Sequence, residues 1–126
     1  MIALVATAGG TFSVDLESGD VEAAAPFEPE PEPILNLPRV VAAAVAGATV
    51  VALVDAKPPL LVSYDAGATW RSSGRGLPPG RAVAVAVDDP DTIVYASRNR
   101  LYVSRNGGVF WSALAGELPE IAAVSV

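Results

Sequence analysis

Apolar residues recur along this chain in short runs rather than at helical spacing. Arg39 opens RVVAAAVA, Thr49 TVVALVDA, Leu60 LLVSY, Arg81 RAVAVAVD, Thr92 TIVYASR and Leu101 LYVSR, with turn-forming residues between most of them. Short runs rich in Val, bounded by Gly, Pro, Asn and Asp, have the length and spacing of strands. An all-β chain is the expectation, and the pattern contains its own copy.

Ser104 to Trp111, SRNGGVFW, lies 41 positions after Ser63 to Trp70, SYDAGATW. A Leu-Pro pair follows each turn at the same offset, Leu77-Pro78 and Leu118-Pro119, and a third pair, Leu37-Pro38, stands 40 residues before the first of these. Each Leu-Pro mark introduces a small-residue run, then a second run, then a third that enters the Ser-x-Asp turn and a fourth that leaves it. A repeat therefore predicts four short antiparallel strands.

The chain ends one strand after the last mark, with EIAAVSV from Glu120. The missing strands stand at the other end: IALVATA from Ile2 matches the second strand, Gly10 to Asp20 the third with a degraded turn at Ser13 and Asp15, and VEAAAPF the fourth. The organisation read from sequence is one domain over 1–126. Residues 1–27 supply strands two to four of a split unit and 28–38 an acidic Pro-rich insertion; 39–76 and 77–117 are complete units, and 118–126 is the first strand of the split one.

The turn pattern Ser-x-Asp-x-Gly-x-Thr-Trp resembles the Asp-box, or BNR, repeat of β-propellers of the sialidase, sortilin and photosystem-assembly-factor type. Ser63, Asp65, Gly67, Thr69 and Trp70 match it throughout; Ser104, Asn106, Gly108, Phe110 and Trp111 match with Asn for Asp and Phe for Thr. The resemblance implies four-stranded propeller blades, three per chain, with the box between the third and fourth strands. Every box residue has a structural reading. Asp and Ser oxygens can take turn amides, Gly can adopt positive φ, and a Trp between sheets contributes roughly 4–6 kcal/mol if it buries about 150–250 Å2.

Composition narrows the chemistry. The chain lacks Cys and His, which removes disulfides, thiolate metal sites and imidazole catalysis, and no metal or cofactor is expected. Its net charge is -6, with seven acids and no base before Arg39. An acidic chain without a basic stripe argues against nucleic acid. The N-terminus has no basic n-region and its apolar run breaks at Gly9-Gly10, so neither a signal peptide nor a membrane span is read and a cytoplasmic protein is expected.

Propellers carry about four to eight blades, so three leave an open arc. A homodimer closing six blades is the expected assembly, with Ile121 to Val126 of one chain pairing with the Ile2 to Phe27 strands of the other; a nine-bladed trimer or a longer chain are alternatives. The face opposite the boxes would carry Lys57, Arg75, Arg81, Arg98 and Arg100 together with the insertion Phe27 to Asn36. In the sialidases an arginine triad, a Tyr with a Glu and an Asp do the chemistry, and Arg98, Arg100, Tyr95, Tyr102 and Glu117 carry no motif that fixes such a set. The leading expectation is a non-catalytic binding or scaffold module for a protein or peptide; a sugar-binding lectin and a glycoside hydrolase are the alternatives.

Overall fold

The computed structural model describes residues 1–114 and 116–126, and these described residues form twelve strands and no helix. They form three four-stranded antiparallel sheets. The first is split between the termini: β12 (Ile121–Ser125), β1 (Ile2–Thr7), β2 (Gly10–Asp15) and β3 (Val21–Ala24). The second is β4 (Val40–Ala46), β5 (Thr49–Val54), β6 (Leu60–Ser63) and β7 (Arg71–Ser73), and the third β8 (Gly80–Val85), β9 (Ile93–Ser97), β10 (Leu101–Ser104) and β11 (Ser112–Ala113). The arrangement is consistent with a β-propeller-like fold.

Hairpin chemistry explains the pairing. Ala46 lies opposite Thr49, so Gly47 and Ala48 alone make the β4–β5 turn, and Gly47 takes the positive φ (59°) that such a turn needs. Both β4 and β8 carry a register shift near their start, next to Val40 and Gly80 respectively. A bulge of this kind bends and twists a strand.

The β8–β11 sheet lies between the other two, since β8 touches both β4 and β12. Alternation along β9 divides its residues between two cores. Val94 and Ala96 join Ala3, Val5, Val14 and Ile121 of the split sheet, whereas Ile93 and Tyr95 join Val51, Leu53, Leu60 and Val62 of the β4–β7 sheet. All five β9 residues are buried, which is why IVYAS is apolar on both faces where a surface strand would alternate.

The C-terminal strand completes the split sheet as the repeat requires, with Leu4 opposite Ser125, Val5 opposite Val124 and Ala6 opposite Ala123. In the single chain this pairing is intramolecular, and residues 25–39 supply the length it needs. Six residues, 74–79, separate β7 from β8, whereas fifteen separate β3 from β4, enough to return the chain from one end of the arc to the other. Glu120 O, accepting from the Ala8 amide at 2.8 Å, extends the clasp past the ladder.

Candidate functional site

The Ser63 and Ser104 turns are held by their own side chains. At Ser63 the hydroxyl donates to Asp65 Oδ1 (2.7 Å) and accepts from the Gly67 amide (2.8 Å), while Asp65 accepts from the Thr69 amide (2.9 Å) and hydroxyl (2.6 Å). Those donors, the Thr69 hydroxyl foremost, then its amide and the Ser63 hydroxyl, pull the Asp65 carboxyl down to about 2. The second box repeats the scheme with a neutral amide: Ser104 Oγ to Asn106 Oδ1 (3.0 Å), Gly108 N to Ser104 Oγ (2.8 Å) and Phe110 N to Asn106 Oδ1 (3.0 Å). Phe110 has no hydroxyl to return, and its ring stands exposed.

The boxes also join one sheet to the next. Tyr64, the variable residue after Ser63, donates its hydroxyl to Gly107 O, and Arg105, the same position in the second box, donates to Leu16 O at 2.6 Å. Trp111 packs edge-on against Tyr95 (6.0 Å between centroids) and donates its indole N–H to Ser73 Oγ (3.1 Å) across the joint. Sequence reasoning passed over Tyr64, Arg105 and Ser73; their fixed positions relative to the box were the available signal.

The third, degraded box is not one. Val5 lies opposite Val124 as Tyr95 lies opposite Val83, and Phe12 opposite Val5 as Tyr102 lies opposite Tyr95. Val14 is therefore the counterpart of Ser104, and Ser13 stands one residue out, on the other face, opposite Leu4. Asp15 instead accepts from the Glu17 (2.8 Å) and Ser18 (3.2 Å) amides, which lower its pKa, and closes an ordinary Asx turn.

Of the five cations expected on the opposite end, three converge. Arg81, Arg98 and Arg100 line one cleft with Tyr102 and Pro78. Each already has a carboxylate: Arg81–Glu120 at 2.9 Å, Arg98–Glu120 at 3.9 Å and Arg100–Glu117 at 3.4 Å. Exposed pairs of this kind contribute little to stability, about 0–1 kcal/mol each, and with Glu120 shared by Arg81 and Arg98 the two carboxylates offset part of the cleft's positive charge. Lys57 lies in a separate depression with Val54 and Leu77, and Arg75 is exposed and lines neither.

A groove of about 340 Å3 was not anticipated as a site. β4, β8 and β12 are each the last strand of their sheet, paired on one side only, and residues of all three line this groove. Its remaining wall is Pro29, Glu30, Pro31 and Glu32. Glu32 Oε1 accepts from the Ala43 amide at 3.2 Å, so a side chain fills a position on the free edge of β4 that a neighbouring strand's carbonyl would otherwise take. Beyond it the segment alternates, with Pro33, Leu35 and Leu37 half-buried and Ile34 and Asn36 exposed.

No protein-family model matches the chain, and no curated protein matches it. Among solved structures, it is similar to a GH74 enzyme of Niastella koreensis, at 22% identity and a TM-score of 0.48. The match covers 89% of this chain and 17% of the enzyme, so the chain spans about a sixth of that protein's length.

Proposed function

We propose that this chain is a non-catalytic binding or scaffold module, built from β-propeller blades that two copies complete to six, and that it holds an extended peptide in the groove along its inner strands. The observation that carries the reading is the Glu32 to Ala43 hydrogen bond on the unpaired β4 edge. An amide that donates to a carboxylate from outside the sheet can equally donate to the carbonyl of an added strand, which is how extended peptides are recognised on sheet edges. Small residues support it: Ala43, Ala82, Ala84 and Ala123 line the groove and leave the backbone within reach. The box turns at the far end and the ion-paired arginines are read as architecture.

Peptides selected by display against the immobilised protein test this, with affinity measured by fluorescence anisotropy on the wild type and on Ala43→Pro. Proline is tolerated on a sheet edge where its missing N–H points outward, so the fold should persist. Binding that falls at least tenfold in the variant, with an unchanged circular dichroism spectrum, is the expected result. Selected peptides that bind Ala43→Pro as well as wild type would contradict it.

A further inference from the structure

We infer that the two outward faces of the arc are halves of one joint, closed by a second copy of the chain. The inference rests on reading the sheets as blades, and it names the surfaces that meet. β9 is apolar on both faces and both are covered by neighbouring sheets. β5, TVVALV, and β1, IALVAT, are written in the same two-sided way, yet each of their sheets has a neighbour on one side only. A strand apolar on both faces is the signature of a sheet covered on both.

Pairing register shows what lies on the outward faces. Val51 and Val62 face the β8–β11 sheet, so Val45, Val50 and Leu61 face away from it; Val50 is buried within the chain, which leaves Val45 exposed and Leu61 half-buried on that face. By the repeat, Trp70 is assigned to this outward face: it stands 41 residues before Trp111, which reaches the preceding sheet through its bond to Ser73. At the other end of the arc Ala3, Val5 and Val14 face inward, which leaves Ile2, Leu4 and Ala6 outward. Ile2 is 50% exposed and Val45 46%.

The two faces point in opposite senses around the arc, and the tryptophan-bearing one is the kind of surface that meets a preceding sheet within the chain. Such a pair joins head to tail, and a rotation that closes satisfies every face at once, whereas one that does not gives a filament. Two copies form two identical joints simultaneously, the second being intramolecular once the first exists. β12 stays in its own chain throughout, since the split sheet is already complete.

The test is the solution mass by light scattering across a wide concentration range, for the wild type, Ile2→Lys and Val45→Lys. Both positions are half-exposed in the single chain, so neither variant should lower its melting temperature, whereas a lysine held in a closed apolar joint weakens association on the order of tenfold or more. Twice the 12.8 kDa chain mass for the wild type, with both variants dissociating at higher concentration, is the expected outcome. A wild-type mass of one chain overturns the inference, as does a mass of three. A dimer indifferent to both substitutions overturns the named joint. Peptide binding measured on Ile2→Lys, whose position does not line the groove, separates any of these failures from failure of the groove.

Discussion

Replacing Gly80 with alanine adds a single methyl group, and its effect should have the opposite sign from the one its backbone suggests. Gly80 starts β8 and does not adopt positive φ, so alanine is conformationally allowed. On that ground alone the change would stabilise by about 0.4–1 kcal/mol. The added carbon, however, would lie 2.5 Å from Leu53 Cδ1, 2.5 Å from Tyr95 Oη and 2.6 Å from Tyr95 Cζ. Carbon atoms in good contact sit at about 3.5–4.0 Å, so the overlap is on the order of 1 Å at three atoms. Neither neighbour can move aside freely. Leu53 is 1% exposed, and Tyr95, fully buried, is tied through its hydroxyl to Pro78 O at 2.6 Å.

Overpacking costs about 1–3 kcal/mol, and breaking the tyrosine bond to relieve it adds about 1–3 more, so a net loss of about 2–4 kcal/mol is expected. Urea unfolding followed by the fluorescence of Trp70 and Trp111 measures it. With a slope of roughly 1–3 kcal/mol per molar for a domain of this size, the midpoint should fall by about 1–2 M. A midpoint that is unchanged or raised refutes the close approach of β8 to the Leu53–Tyr95 pair. Leu53→Ala in the same background offers a check on the cause, because the space it vacates should make the double variant less destabilised than the sum of the single ones.

Other outcomes follow from the same contacts. Ser73→Ala strands the Trp111 indole N–H and removes the donor to Gly108 O, and thermal denaturation should report a loss of about 1–3 kcal/mol. Asp65 has a folded pKa of about 2 against 3.8, so its contribution is complete above pH 4 and is lost as pH falls toward 2; Asp65→Asn should flatten that part of the acid-unfolding curve. The Tyr95 hydroxyl, pushed up to about 12 by burial and by Tyr102, should stay protonated in the folded protein at pH values above the ordinary tyrosine value of 10.0 in an ultraviolet titration. Glu32→Ala should tighten selected peptides several-fold in anisotropy, because it removes the resident acceptor from the Ala43 amide.

The strands were legible because each element's local pattern agrees with its place. Gly47 marks a two-residue turn, β9 is apolar on both faces because both are covered, and the Ser63 and Ser104 boxes form the bonds their residue types allow. Ser13 misled because residue identity does not carry register: a slip of one places Val14 where a box serine would stand, and only the pairing of Phe12 with Val5 reveals it. Of the five cations expected on one face, Arg81, Arg98 and Arg100 share a cleft, and the carboxylates they pair with lie 17 to 39 residues away in sequence. The groove left no motif, since what it offers is backbone: three strand edges whose free sides follow from topology, not from any side chain. The route of residues 25–39 was open because their length suits either a neighbouring sheet or the far end of the arc.

That route bears on the central claim, that β12 closes the split sheet within its own chain at the register of Val5 on Val124. The chain has no cysteine, so Val5→Cys with Val124→Cys introduces the only two thiols. Mild oxidation of the double variant, followed by denaturing mass spectrometry without reductant, reads the connection directly. The expected product is a single chain lighter by two hydrogens, with an internal disulfide. A covalent dimer from the same treatment would place the strand in a second copy and contradict the account.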